Sequence, residues 1–265
     1  MNQQKEIKRE GKGTAKLFDE RSLKADYATL PPLLQSGWKV LDVGCGTGAI
    51  SKDIALSVGP TGQVTGIDNT AYFIQTGKET YADIKNLELI HTDLFAYEPA
   101  EKFDLITAAR TLQWLNNPQE AVLKLKSLLK PGGILSILDY NHEDLEWQPQ
   151  PPASMLRFYA TFLRWRGDAG MNNHIAEDLP AYFSEAGLSH MEVLNANEVY
   201  SKGNANFEHK IGIWSSVAQM TQMVDEGYIS NEDRLQAIEE YDNWIKTDAE
   251  QMTMKLKEVR GVNNK

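Results

Sequence analysis

Between residues 38 and 140 the chain alternates short apolar runs with longer amphipathic segments. The runs are WKVLDV (38–43), QVTGID (63–68), LELIHTD (87–93), FDLITAA (103–109) and GILSILDY (133–140). Runs this short and this rich in Val, Ile and Leu predict buried strands. The segments between them carry a helical period. Ile50 and Ile54 lie four apart, and Ala121, Val122, Leu125, Leu128 and Leu129 form one stripe. Strand, helix, strand at this spacing predicts βαβ units, a parallel sheet and right-handed crossovers. Lys130-Pro131-Gly132-Gly133 is expected to break the preceding helix before the fifth strand, since proline cannot continue a helix and glycine accepts a cap conformation.

The pattern changes near Tyr140. WQPQPP (147–152) cannot be helix interior, and the segment MLRFYATFLRWR that follows is dense in aromatics and arginine. IAEDLPAYFSEAGL reads as a helix closing on Gly187, and HMEVLNANEVY as a sixth strand. Residues 206–247 read as two amphipathic helices, one with the stripe Phe207, Ile211, Trp214, Ala218 and Thr221, the other with Leu235, Ile238, Tyr241 and Ile245. MTMKLKEVRGV alternates well enough for a closing strand.

Composition narrows the class. The chain has 265 residues, 42% of them hydrophobic, enough for one α/β domain with a helical insertion. Residues 1–15 read as a disordered, solvated tail and 16–265 as a single domain. A formal net charge of -10 argues against gripping a nucleic-acid backbone. A single cysteine, Cys45, forbids an internal disulfide and fits a reducing, cytoplasmic setting. The polar N-terminus has no signal-peptide core, and no apolar run approaches the ~20 residues of a membrane span.

The chemistry is concentrated in Leu41-Asp42-Val43-Gly44-Cys45-Gly46-Thr47-Gly48, at the end of the first predicted strand and the start of a helix. Glycines there permit a tight turn and close ligand approach, and the helix N-terminus offers unpaired N–H groups. Gly44, Gly46 and Ala49 also satisfy a dinucleotide-binding pattern, so a NAD(P)-dependent oxidoreductase is an alternative. Asp42 ahead of the loop, Asp93-Leu94 after the third strand and the KPGG turn are features a dinucleotide enzyme does not require.

Taken in order, LDVGCGTG, VTGID, HTDLF, FDLITAARTLQWL and LLKPGGIL resemble the motif series of class I S-adenosylmethionine-dependent methyltransferases, in particular the small-molecule group that includes ubiquinone and menaquinone biosynthesis enzymes. The resemblance is specific over residues 20–140 and looser through to Val259. It implies a Rossmann-like, seven-stranded, mostly parallel α/β sheet with helices on both faces and an inserted helical cap over 141–173 and 206–247. It implies S-adenosyl-L-methionine as cofactor and a small-molecule acceptor. On that reading Gly44, Cys45, Gly46 and Gly48 pass close to the cofactor, and Asp42 orders the loop and the methionine ammonium. Asp68, with Asn69 beside it, takes the ribose hydroxyls; Asp93 and the backbone of Leu94 take the adenine; Ala109 and Arg110 meet the methionine end.

The acceptor side is less determined. His142 is the candidate base, because its ordinary pKa lies near neutrality, or else a solvated loop histidine. Gln113, Trp114, Tyr140 and Asn141 follow strand ends and are candidate lining residues. Tyr27 either closes over the methionine end or is a packed surface tyrosine. Arg157 and Arg166, among aromatics, belong to an anion-binding lid or to an amphipathic cap helix. His142, Glu143 and Asp144 are adjacent and do not converge on one ion, so no metal is expected. A non-catalytic cofactor-binding module is the remaining alternative.

Overall fold

The computed structural model describes residues 21–264; the expected tail over 1–15 lies outside the described residues. In chain order the elements are α1 (Leu23–Asp26), β1 (Lys39–Val43), α2 (Ala49–Val58), β2 (Gln63–Asp68), α3 (Ala71–Thr80), β3 (Leu87–His91), β4 (Phe103–Ala109), α4 (Pro118–Ser127) and β5 (Leu129–Gln148). Then follow α5 (Ala153–Asp168), α6 (Ile175–Glu185), β6 (Ser189–Asn195), β7 (Glu198–Ser201), α7 (Phe207–Ile211), α8 (Ile213–Ala218), α9 (Gln222–Asp225), α10 (Asn231–Thr247) and β8 (Gln251–Val262). The described chain divides into two compact units, one of residues 21–139, 175–196 and 257–264, the other of 140–174 and 197–256.

The larger unit is built on the strand order β3-β2-β1-β4-β5-β8-β6. β1 to β5 run parallel, with Val43 opposite Ile67 on one side and Ala108 on the other. β8 runs antiparallel to β6. The central parallel strands are buried along most of their length because helices cover both faces, which is why their sequences read as unbroken apolar runs. Leu41, Ile106 and Leu135 of the sheet pack with Val122 and Leu125 of α4 and with Leu179 and Phe183 of α6. Each fully buried Leu or Phe contributes about 1.5–3 kcal/mol of transfer free energy. α4 shows why its segment is helical: Pro118 opens it, Glu120 sits in the first turn, and Lys124 and Lys126 face the negative C-terminal end.

The fifth strand departs from expectation. It begins at Leu129 and absorbs Lys130–Gly133 instead of starting after them. The irregularity is taken up by a register shift opposite Phe103/Leu105 and by Gly132 at φ 79°. Asn263 makes this possible, its side-chain amide donating to the Leu129 and Lys130 carbonyls.

In the smaller unit, β7 pairs antiparallel with residues 251–254 of β8, so the expected single strand over 190–200 is two strands. Asn197 marks the break, its side-chain oxygen accepting from the Leu256 N–H. The two helices expected over 206–247 are four, interrupted at Gly212, at Gln219–Thr221 and at Gly227. Glycine and β-branched residues weaken short helices that carry few hydrogen bonds of their own. α10 is the long survivor, started by Ser230, whose hydroxyl accepts from the Asp233 N–H at 3.0 Å. The unit's interior is aromatic: Phe158, Tyr159, Phe162 and Trp165 from α5, Trp214 from α8, Tyr241 and Trp244 from α10. No helix among the described residues is long and apolar enough to cross a membrane.

Candidate functional site

In the larger unit the carboxyl ends of β1, β2, β3 and β4 lie side by side by register, and the loop 44–48 leaves β1 at that edge. Gly44, Gly46 and Gly48 all have positive φ, at 70°, 57° and 87°. At Gly44 the need is also steric, since a Cβ would stand 2.3 Å from the Thr111 hydroxyl oxygen. Gly48 caps α2 without any side-chain hydrogen bond, which leaves the helix N-terminus to backbone donors alone.

Two carboxylates flank this loop. Asp68 Oδ2 accepts from the Gly46 N–H at 3.0 Å and Oδ1 from the Thr70 N–H at 2.9 Å. A carboxylate offers about four acceptor positions, so a half-buried Asp68 retains capacity for two ribose hydroxyls. Asp42 is buried and accepts from Ser51 Oγ at 2.5 Å. Burial pushes its carboxyl up to about 7; the Ser51 hydroxyl pulls the other way, and the Asp68 charge adds to the rise. Burial, with Asp42 and Asp68 nearby, likewise drives the Cys45 thiol well above its ordinary value, so no thiolate nucleophile is presented.

Asp93 is exposed and accepts from the Phe95 N–H at 2.7 Å, while Leu94 beside it is buried. Asn69 is exposed, its carbonyl 3.2 Å from His91 Nε2. Ala109 ends β4, and Arg110 follows it buried and at φ 57°, a conformation few non-glycine residues adopt. Gln113 is buried, its N–H donating to Asp139 Oδ2 at 3.1 Å and its side chain to the Arg110 carbonyl. Trp114 is half-buried in the 3₁₀ turn Leu112–Trp114. Tyr27 is buried, and its hydroxyl lies 2.7 Å from Ser136 Oγ. Burial and the Glu258 charge push that phenol up.

The remaining candidates belong to the smaller unit. His142 is buried between rings, 5.0 Å from Tyr140 and edge-on to Phe162 and Trp214. Burial, then the Arg166 charge, hold its imidazole well below the ordinary pKa, so it is neutral at physiological pH. Asn141 donates to Asp144 at 2.7 Å. Arg166 is fully buried, its Nε donating to Asn173 Oδ1 and its guanidinium lying over Phe162 at 5.5 Å. Arg157 is exposed on the same helix, so these two arginines occupy different environments.

Several residues beside the site were not singled out by the sequence pattern. Ser51 is nine residues from Asp42 and returns to it only because α2 folds back along β1. Thr111 and Leu89 abut Gly44 and Gly48. Tyr72 and Phe95 are exposed aromatics just beyond Asp68 and Asp93. Exposed rings placed next to motif residues were the available signal for the last two.

These residues fit an adenosyl sulfonium cofactor. The loop turns on three positive-φ glycines, the α2 N-terminus carries no side-chain cap, and two acidic groups stand at the strand ends with acceptor capacity for hydroxyl or ammonium donors. Among the described residues no group of three or more His, Cys, Asp or Glu could hold a metal ion.

Residues 34–199 match a methyltransferase domain family. The chain is 31% identical over 173 residues to the demethylmenaquinone methyltransferase of Staphylococcus aureus, covering 60% of this chain and 71% of that protein. The phosphoethanolamine N-methyltransferase 2 of Haemonchus contortus, solved with S-adenosyl-L-methionine, superposes with a TM-score of 0.58 at 16% identity over 91% of this chain. The chain spans 52% of that longer protein. A SAM dependent methyltransferase from Aquifex aeolicus gives a TM-score of 0.51 at 23% identity, covering 71% of this chain and 91% of its own. Both structural likenesses concern the fold.

Proposed function

The chain belongs to the class I S-adenosylmethionine-dependent methyltransferases, and from that membership we propose that it methylates a flat hydroxyarene or quinol-type small molecule. When bound, the cofactor supplies an electrophilic methyl group on a sulfonium. The protein's task is to hold it, align the acceptor and exclude water.

In this reading the 44–48 bend and the α2 N-terminus take the methionine end, with Asp42 and the ends of β4 at Ala109 and Arg110. Asp68 and Asn69 take the ribose, Asp93 and Leu94 the adenine. The observation that carries the cofactor reading is the Gly46 N–H to Asp68 hydrogen bond, which ties the glycine bend to a carboxylate one strand away. The acceptor class rests on the 31% identity to a demethylmenaquinone methyltransferase. The smaller unit, which includes the segments 141–173 and 206–247, supplies acceptor recognition through its aromatic interior. Gln113, Trp114, Tyr140 and Asn141 are the other lining candidates. His142 is the candidate base of this reading: burial and the Arg166 charge keep its imidazole unprotonated in the fold, at a cost in basicity.

Two measurements test this. Asp68→Ala is expected to weaken S-adenosylhomocysteine binding by about 1–3 kcal/mol, the worth of hydrogen bonds to a charged group. Unchanged affinity by calorimetry removes the ribose assignment. Incubation with methyl-labelled S-adenosylmethionine and a short-chain demethylmenaquinol is expected to label the acceptor; label appearing only on acceptors without an aromatic ring overturns the acceptor class.

A further inference from the structure

The smaller unit contains four indoles, three buried and Trp147 half-buried, and they are not equivalent. Trp147 Nε1 donates to the Tyr241 hydroxyl at 3.1 Å, and Trp165 Nε1 donates to Glu226 Oε2 at 2.8 Å. Trp214 is 2% exposed, and its Nε1 has no hydrogen-bond partner among the described residues. A buried donor left unmade costs its full desolvation, so native interiors rarely retain one without a use for it.

The surroundings of Trp214 are specific. Its ring meets Tyr159 edge-to-face at 4.7 Å, Phe162 at 5.8 Å, His142 at 6.1 Å and Trp147 at 6.4 Å. Four rings pack around the Trp214 indole, and their faces suit a flat π-system once the turns carrying Trp214 give way. Trp244 Nε1 is also unpartnered among the described residues, where the ring stacked against it is Tyr241, at 5.3 Å.

The segment carrying Trp214 is suited to move. α7, α8 and α9 have five, six and four residues, too short to be stable without tertiary packing. Entry of a planar guest requires displacement of these turns and not of the long α5 and α10.

We infer that Trp214 is an acceptor-recognition residue, its indole N–H donating to an oxygen on a planar aromatic acceptor held among His142, Trp147, Tyr159 and Phe162. This rests on the proposed hydroxyarene class and adds to it the atom that reads the oxygen. A donor at this point rejects a ring lacking oxygen, because the N–H would stay buried and unmade. His142 stands in the same ring cluster, a neutral imidazole beside the oxygen that Trp214 holds.

The test uses the full chain with ¹⁵N-labelled indoles and 1-naphthol as probe, with naphthalene as the ring without oxygen. The six tryptophan N–H signals are assigned by single Trp→Phe variants. Saturable downfield movement of the Trp214 signal with 1-naphthol but not with naphthalene, and a still Trp244 signal, is the expected result. Trp214→Phe should weaken 1-naphthol binding roughly tenfold, one neutral hydrogen bond, while raising KM for an active acceptor more than it lowers kcat. Should that variant not fold, the signal movement in the unaltered chain decides alone, with assignment from the other five. A Trp214 signal that stays put, or equal response to naphthalene, overturns the inference. A moving signal with no methyl transfer to any hydroxyarene leaves Trp214 as a ligand donor and overturns the acceptor class instead.

Discussion

At the scale of single residues, Asp42 makes the most definite statement. Its carboxyl is buried and pushed up to about 7 from an ordinary value near 4. A carboxyl whose folded value is raised favours the folded state while protonated. Its contribution is present below pH 4 and is lost as pH rises toward 7. A rise from near 4 to about 7 corresponds to roughly 4 kcal/mol, so denaturant titrations of Asp42→Asn should lack a decline of that order between pH 4 and 7 that the unaltered protein shows. Parallel stability curves for the two proteins would show that Asp42 ionises freely in the fold. The sequence revealed Asp42 through the glycine motif, but it could not reveal Ser51, because that pairing depends on how α2 returns along its strand. Asp68 and Asp93 were legible for the opposite reason: a strand end announces itself in the local pattern.

At the scale of elements, the glycine bend is held from outside as well as within. Gly77 lies on α3, where alanine would ordinarily stabilise a helix by about 0.5–1 kcal/mol. Here a Cβ would stand 2.1 Å from the Thr47 carbonyl oxygen and 2.7 Å from Leu89. The close approach reverses the sign. Gly77→Ala is expected to cost about 1–3 kcal/mol in chemical denaturation and to loosen cofactor binding, with Gly167→Ala, which meets no described residue within 4 Å, as the comparison. A stabilised Gly77→Ala would mean that α3 can retreat from the loop at little cost. The strands β2 and β4 coincide with their apolar runs to the residue because both are buried on both faces. The helices over 206–247 did not divide as the apolar stripe suggested. A stripe records which face is buried, and it says nothing of where Gly212 or Gly227 stops the helix. In β5 the local signal of Pro131 and Gly132 was real, but Asn263, more than 120 residues away, supplied hydrogen bonds that let the strand run through it.

At the scale of the whole molecule, distant parts of the chain meet in one polar row. Thr107 lies opposite Asp42 on one side and Ser136 on the other. Ser136 donates to Glu258 at 2.5 Å, and Glu258 accepts from Arg260 Nε at 2.6 Å and from its second nitrogen at 3.1 Å. Arg260 also donates to the Thr29 carbonyl, and Tyr27 joins through Ser136. Glu258 is fully buried, so Arg260→Ala strands a charge in the interior. That variant should lose about 3–5 kcal/mol in denaturant unfolding, and Glu258→Gln with Arg260→Met should recover much of it. Equal loss in the single and double variants would mean that Arg260 matters for packing and not for charge.

The same row has a consequence for biosynthesis. Arg260 grips a carbonyl 231 positions earlier, and β8 is wedged between β5 and β6, so the sheet cannot close while β8 is still inside the ribosomal tunnel. The emerging polypeptide must wait with β5 as a raw edge until β8 has left the ribosome. Ribosome-stalled chains ending before residue 251 should therefore be digested readily by protease, whereas chains extended by a tunnel-length linker after residue 264 should resist it.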